Sequence, residues 1–157
     1  MIERGAAGQN EQVIPWRYVV AALLSLVGLA DAVYLTIEDL TGESLRCSII
    51  SGCSEVLASP YAHIGRMPLA ALGAAAYFTV FSLAILAAFG YGFAAPVLRV
   101  VVGLMFLTTL WLLYLQAFVI HHFCQYCLLS ALVTVSLTVL VVIWRRGTPQ
   151  VHDRSAR

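Results

Sequence analysis

Four long segments of the chain carry almost no charge, and this feature strongly limits the folds that the sequence can adopt. The segment 18–35 contains a single acidic or basic residue, Asp31, and the segments 67–90, 100–120 and 128–144 contain none. An α-helix needs about 20 predominantly apolar residues to cross the hydrocarbon core of a membrane, which is about 30 Å thick. We therefore predict four membrane-spanning helices, at about 17–38, 67–90, 97–120 and 124–144.

The composition supports the same class of fold. Hydrophobic residues make up 61% and charged residues 11% of the 157 residues, whereas soluble domains hold about 45–50% apolar and about 25% charged residues. A chain of this length cannot hide so much apolar surface by folding on itself. We therefore predict an all-α integral membrane protein, whose four transmembrane helices form one bundle and one domain, 1–157. The net charge of +1 argues against nucleic-acid binding.

The distribution of arginines predicts how the helices cross the membrane. All nine basic residues are arginine, and only Arg46 and Arg66 lie in the loop 39–66. The other seven flank the spans on the opposite side: Arg4, Arg17, Arg99, Arg145, Arg146, Arg154 and Arg157. Because basic residues concentrate in cytoplasmic segments, we predict cytoplasmic termini, an extracytoplasmic loop 39–66 and an extracytoplasmic turn at 121–123. The first span is predicted to be a retained anchor, and 145–157 to be a disordered cytoplasmic tail.

The four cysteines all fall on the side that the arginines place outside the cytoplasm. Cys47 and Cys53 lie in the long loop, and Cys124 and Cys127 lie at the start of the last span. Disulfides form and persist in compartments of this kind, where the environment is oxidising. The clustering therefore favours disulfide chemistry over ordinary core positions for these thiols.

The sequence HHFCQYC places the second cysteine pair in the first turn of the last helix. Cysteines three residues apart lie on one helix face, and the unpaired N–H groups of a helix N-terminus favour a thiolate. A c-type haem requires CxxCH, and Leu128 follows Cys127, so this reading is excluded. A zinc site from His121, His122, Cys124 and Cys127 and a structural disulfide stay open as alternatives to a redox pair, which the position favours.

The loop sequence SLRCSIISGCSEVLASPYA contains the first cysteine pair. We predict a short helix that starts near Gly52 and stops before Pro60, with Cys53 activated at its N-terminus in the same way. Cys47 belongs to the irregular part of the loop, where it can meet another protein. The alternative is a structural clip, which gains little stability because the loop that it closes is short.

Several motifs in a fixed order resemble those of bacterial homologues of vitamin K epoxide reductase. They are DAVYLT at the end of the first span, GCSEVLASPYA in the loop, GRMPLAALG and AAAYF at the second span, and FCQYC at the last helix. They extend from Leu29 to about Leu132 and include a serine, Ser59, six residues after Cys53. The resemblance implies a four-helix bundle that encloses a quinone near its extracytoplasmic end.

The resemblance also implies a role for each site residue. Cys127 faces the quinone, Cys124 exchanges with Cys53, and Cys47 contacts a thioredoxin-like partner. Ser59 lies near the quinone carbonyl or the Cys127 thiolate as a hydrogen-bond donor. Many bacterial relatives carry a fused thioredoxin-like domain, whereas this sequence ends in RRGTPQVHDRSAR. We therefore expect the partner to be a separate extracytoplasmic protein of the DsbA type.

These implications lead to the hypothesis of a quinone-dependent thiol oxidase in the bacterial cytoplasmic membrane, which generates disulfides for extracytoplasmic protein folding. The electron acceptor is expected to be menaquinone, ubiquinone or a similar quinone. One alternative is a vitamin K quinone or epoxide reductase that uses the same cysteines. Apolar Leu69 and Ala131, at positions where mammalian enzymes place polar groups over the ring, argue against epoxide reduction. A non-catalytic membrane scaffold with structural disulfides is the alternative from another class.

Asp31 lies inside the first span, where an acidic side chain costs at least about 2.5–3.5 kcal/mol. One interpretation is a proton relay or an anchor within the bundle. The other is that Asp31, close in sequence to Glu38 and Asp39, pairs or reaches toward the membrane surface. The sequence alone favours the second interpretation, because charged side chains near an interface escape most of that cost.

Overall fold

The computed structural model describes residues 16–41, 56, 60–64 and 67–143. This part of the chain forms four α-helices, which are α1 (Trp16–Thr41), α2 (Leu69–Ala88), α3 (Ala94–Leu115) and α4 (Gln125–Thr138). The last two helices continue as π-helical turns, Gln116–Ile120 after α3 and Val139–Ile143 after α4. The helices follow the charge-free segments, because inside a membrane a helix satisfies every backbone hydrogen bond within its own segment.

Three of the predicted spans are confirmed as helices that are long and apolar enough to cross a membrane: Trp16–Thr41, Leu69–Ala88 and Ala94–Ile120. The fourth apolar helix is shorter in the described part of the chain, over Gln125–Val141. The predicted bounds 124–144 were therefore too generous at the start, where Cys124 caps the helix without being part of it. Residues 1–15 and 144–157, with the predicted tail, lie outside the described residues.

The connection between α1 and α2 contains two very short strands that the sequence did not predict. A 3₁₀ turn at Pro60–Ala62 leads into β1 (His63–Ile64), which pairs antiparallel with β2 (Met67–Pro68). Strands of two residues show no detectable alternation in sequence, so the all-α prediction missed them. Val56 has helical backbone conformation, and the rest of the predicted loop helix lies outside the described residues.

The four helices form one bundle in which α1 packs most extensively against α2 and also contacts α4. The third helix contacts α2 and α4. We use the term Cys124 end for the end of the bundle where α1 and α3 finish and where α2 and α4 begin. The β1–β2 hairpin lies at this end, and His63 Nε2 lies 3.0 Å from Asp39 Oδ2 in the last turns of α1.

Large apolar side chains remain exposed along the outer faces of the helices. Each of the four helices carries such a residue. The exposed fraction of the residue is 42% for Leu26, 58% for Phe78, 63% for Leu107 and 65% for Leu132. Contiguous apolar surface of this kind is unfavourable in water, whereas lipid tails solvate it at no cost. The outer surface of the bundle therefore fits a hydrocarbon environment, as expected of a membrane protein.

Tyr77 of α2 holds three helices together in the buried core. Its ring packs against the backbone of Gly28 in α1 so closely that a Cβ atom at position 28 would overlap with it. Its hydroxyl donates to Ser130 O, 3.0 Å away, and lies 2.7 Å from Ser130 Oγ and 3.0 Å from Thr134 Oγ1 in α4. The buried phenol oxygen thus has several partners, which a polar group in an apolar core requires.

We expect Gly28→Ala to lower the thermal stability of the protein, because the new methyl group must displace the Tyr77 ring. Overpacking of this kind costs about 1–3 kcal/mol, which exceeds the roughly 0.5–1 kcal/mol that replacing a helical glycine by alanine gains. The measurement is thermal unfolding of the purified protein in detergent. Gly103→Ala is the matched control, since a Cβ atom at position 103 meets no atom within 4 Å. Equal stability of the two variants would contradict the close packing of α1 and α2.

Candidate functional site

A cavity of about 150 Å³ opens inside the bundle near the Cys124 end. All four helices and the connection between α1 and α2 contribute side chains to it, and most of these are apolar. The polar members of the lining among the described residues are few: Asp31, Tyr61, Tyr77, Thr109, Gln116, Cys127 and Ser130. We call this space the Cys127 cavity. An apolar cavity with a small number of polar groups is typical of a small-molecule binding site.

The second cysteine pair lies at the start of α4, as the sequence predicts. Cys124 is the N-cap residue, with extended backbone angles of φ −101° and ψ 122°, and its carbonyl accepts a hydrogen bond from Leu128 N at 3.0 Å. The side chain of Cys124 is fully buried, whereas Cys127 is half-buried and lines the Cys127 cavity. The two side chains also hydrogen-bond each other. One sulfur therefore faces the cavity, and the other lies behind it.

The turn that presents Cys124 depends on a left-handed residue. His121 has φ 57° and ψ 22°, and it is the one non-glycine residue with positive φ within the described ranges. Histidine tolerates this region better than most residues, and the turn reverses the chain directly after the π-helical Gln116–Ile120. His121 and His122 are exposed while Cys124 is buried. These side chains do not converge, and the described part of the chain holds no cluster of three or more potential metal ligands.

Gln116 connects the two cysteines and was missed by the sequence analysis. Its Oε1 accepts a hydrogen bond from the Cys124 backbone N–H at 3.2 Å, and its side chain also hydrogen-bonds the Cys127 side chain. It is almost fully buried and lines the Cys127 cavity. A single carboxamide within the charge-free stretch 100–120 was the available signal, because polar groups inside a membrane are costly and are usually retained for function.

The position of Asp31 corrects the interpretation that the sequence favoured. Asp31 is only 8% exposed and lines the Cys127 cavity, so it neither reaches the membrane surface nor pairs there. Its Oδ2 has no hydrogen-bond partner among the described residues. The sequence misled because α1 continues for ten more residues to Thr41, which keeps Asp31 well inside the bundle. A buried carboxyl group therefore belongs to the wall of the cavity.

Comparison with known proteins decides the family. The family model described as "Vitamin K epoxide reductase family" matches residues 19–142, which is most of the chain. The chain belongs to the vitamin K epoxide reductase family. Members of this family are membrane oxidoreductases that act on thiols and quinone-type substrates, and the resemblance noted in the sequence motifs is confirmed.

As a member of the vitamin K epoxide reductase family, the protein is expected to use a second pair of cysteines, in the loop. Cys47, Cys53 and Ser59 all lie outside the described residues, so their roles stay predictions. The described residue closest in sequence to Cys53 is Val56, which is buried in a cluster with Cys124, against which Ile120, Tyr126 and Cys127 also pack. Val56 therefore brings one residue of the loop into the cluster that holds the CxxC cysteines.

Two residues that bear on the substrate of this family member are placed as the sequence suggested. Leu69, at the start of α2, and Ala131, in the second turn of α4, both line the Cys127 cavity. They add apolar surface to its wall, as do Leu35, Gly73 and Leu112. The wall can therefore contact a flat apolar ring, and the few polar side chains of the lining among the described residues are available to hydrogen-bond its substituents.

Proposed function

We propose that the protein is a quinone-dependent thiol oxidase, which generates disulfides in extracytoplasmic proteins. The observation that carries the proposal is the placement of Cys127 in the wall of an apolar cavity, with Cys124 buried directly behind it. A dithiol in this position can close its disulfide and give two electrons to a ring bound in the cavity. A purely structural disulfide needs no cavity beside one of its sulfurs.

The residues of the Cys127 cavity fit a quinone. Its volume of about 150 Å³ is similar to that of an engineered apolar cavity that binds benzene, so it can take a six-membered ring. The amide of Gln116 is placed to orient a ring carbonyl, since its side chain already reaches Cys127 in the same wall. We propose that Ser59 supplies a further hydrogen bond to the carbonyl or to Cys127.

Electrons enter through the loop cysteines in this proposal. A dithiol partner of the thioredoxin-like, DsbA type attacks Cys47 of a Cys47–Cys53 disulfide, closes its own disulfide and leaves as the oxidised partner. Cys53 then attacks Cys124 of the Cys124–Cys127 disulfide and releases Cys127 as a thiolate, which takes up one of the protons that the partner dithiol has given up. Cys47 displaces Cys124 from Cys53, so that the loop disulfide forms again and the CxxC pair is left reduced. Each step is a thiol–disulfide exchange.

The last step regenerates the CxxC disulfide. Cys124 and Cys127 form their S–S bond, and two electrons and two protons pass to the quinone, which leaves as hydroquinone. The packing of Val56 against Cys124 supports the exchange between the two pairs. Val56 follows Cys53 by three residues, and three residues of extended chain span at most about 11 Å.

The proposed location is the bacterial cytoplasmic membrane, with both cysteine pairs at the extracytoplasmic face. The arginine distribution supports it, because seven of the nine arginines flank the spans on the side opposite to the cysteines. In this orientation the Cys124 end of the bundle meets the compartment in which disulfides persist.

Reconstitution with a quinone and a reduced DsbA-type partner tests the proposal. The protein in lipid nanodiscs is expected to reduce menaquinone-4 or ubiquinone-1 as it oxidises the partner, followed by quinone absorbance and by thiol titration. Cys47→Ser and Cys53→Ser are expected to lower the partner-driven rate by at least about 10²-fold, because the relay is broken. Both variants should still reduce quinone when dithiothreitol reduces the CxxC pair directly.

Two results would contradict the proposal. Full partner-driven rates in both loop variants would show that the partner does not use these cysteines. Reduction of vitamin K epoxide by a dithiol, without oxidation of any partner in the presence of quinone, would favour the reductase alternative instead.

A further inference from the structure

One oxygen of the buried carboxyl group of Asp31 has no partner among the described residues that would explain its place in the bundle. It lies one turn after Gly28 on the face of α1 that packs against α2, and it is more than nine-tenths buried. Its Oδ2 has no hydrogen-bond partner in the part of the chain that the structure describes. Burying a polar group without a partner is costly, so a function in the cavity is the better account of its presence.

The groups that face Asp31 are those of the redox site. Its charge interacts with Cys124 and Cys127 of α4 and with Tyr77 of α2, and the carboxyl group lines the same cavity as Cys127. The Tyr77 hydroxyl is already engaged with Ser130 and Thr134. Asp31 therefore shares the wall of the cavity with Cys127, and a ring bound there would lie beside both residues.

The chemistry of the site needs a proton carrier at this position. Closure of the Cys124–Cys127 disulfide removes two protons and two electrons from the thiols, and hydroquinone formation takes up the same number. Most of the cavity wall is apolar, so a proton released from a thiol has few acceptors. A carboxyl group can take up a proton and give it back without net change. General acid–base groups of this kind contribute about 10²–10⁴-fold to a rate.

We propose that Asp31 carries a proton from the Cys127 thiol to the quinone oxygen during reduction. The inference rests on the proposed oxidase function, and it adds a catalytic role for a residue that the cysteine relay does not use. Asp31 accepts the proton as Cys127 becomes a thiolate, donates it to one oxygen of the reduced ring and returns to its starting state. It then carries the proton of Cys124 to the second ring oxygen in the same way.

The test compares Asp31→Asn with the wild-type protein in nanodiscs, at saturating reduced partner and variable ubiquinone-1. Asparagine keeps the shape of the side chain and cannot carry the proton. We expect kcat to fall by at least about 10²-fold, with the KM for quinone unchanged within about threefold. Asp31→Glu keeps the chemistry and is expected to recover part of the rate. Asp39→Asn is the matched control, because Asp39 faces His63 outside the cavity.

A second measurement separates proton transfer from a structural role. Without quinone and without oxygen, the reduced partner reduces the Cys124–Cys127 disulfide, and alkylation of the free thiols gives the rate. Asp31→Asn is expected to leave this rate and the thermal stability unchanged. If both fall together with quinone reduction, the role of Asp31 is structural and the proposal is wrong.

The remaining outcomes also separate the inference from the function on which it rests. Full quinone reduction by Asp31→Asn would overturn the proton-carrier role and leave the oxidase intact. If the wild-type protein itself passes no electrons from the partner to quinone, the proposed function fails, and the role of Asp31 falls with it.

Discussion

Cys127→Ser is expected to lower the rate of quinone reduction by at least about 10³-fold. We expect the same loss whether the DsbA-type partner or dithiothreitol is the electron donor. Residues that act as one chemical unit show losses of this size when a single member is removed. Cys127 is the cysteine that lines the Cys127 cavity, and a serine hydroxyl cannot form the disulfide that releases the electrons. The measurement is the rate of ubiquinone-1 reduction with dithiothreitol as donor, followed by absorbance.

Serine variants of the two CxxC cysteines are expected to differ in whether a mixed disulfide with Cys53 accumulates. In Cys127→Ser the buried Cys124 keeps its thiol, and we expect it to attack Cys53 of the Cys47–Cys53 disulfide and release Cys47 as a thiol. The Cys53–Cys124 mixed disulfide should then accumulate and be detectable by mass spectrometry after acid quenching. Cys124→Ser should lose quinone reduction equally but form no such mixed disulfide. Leu129→Ala is the control, because Leu129 is an exposed residue of the same helix and should keep both activities.

An opposite trapping pattern would reverse the order of the relay. If Cys53 were trapped on Cys127 in the Cys124→Ser variant and not on Cys124, the buried sulfur would have to face the quinone. Such a result would contradict the arrangement in which Cys127 lines the cavity and Val56 packs against Cys124.

The sequence predicted those parts of the fold that depend on long runs of similar residues. Three of the four spans could be placed because charge is excluded from about 20 residues at a time, and the start of the last helix could be placed because HHFC interrupts two such runs. The β1–β2 hairpin could not be predicted, since two residues per strand carry no pattern. The π-helical turn Gln116–Ile120 has no sequence signature of its own either.

The candidate site was predicted where a motif carried the chemistry and missed where packing decided it. The CxxC motif identifies Cys124 and Cys127 as candidate site residues. The three-dimensional structure is needed to show which of the two sulfurs is buried and which lines the cavity. Gln116 and Asp31 are single polar residues in apolar helices, and their role depends on which helix face meets the other helices. For Asp31 the sequence favoured the wrong interpretation, because closeness along the chain to Glu38 and Asp39 says little about burial.

Ala131→Trp is expected to lower kcat/KM for quinone by at least about 10²-fold by filling the space in which we propose that the ring binds. Ala131 is 7% exposed and lines the Cys127 cavity from the second turn of α4. An indole would occupy a large share of about 150 Å³, and a packed wall does not expand without a cost of about 1–3 kcal/mol. The measurement is the dependence of the quinone reduction rate on ubiquinone-1 concentration, together with the same series for Ala131→Phe, which should be intermediate.

Leu132→Trp is the matched control. Leu132 follows Ala131 in the chain, but its side chain is 65% exposed on the outer surface of the bundle, so its replacement does not fill the cavity. Reduction of the CxxC disulfide by the partner in the absence of quinone should be the same in both variants, because the proposed exchange takes place at Cys124, which is not part of the cavity lining. Loss of that exchange in Ala131→Trp would indicate a distorted α4 and not a blocked cavity. If Ala131→Trp kept both a normal exchange and a normal kcat/KM for quinone, the ring would have to bind elsewhere. Cys127 would then need to reach its electron acceptor from a different direction.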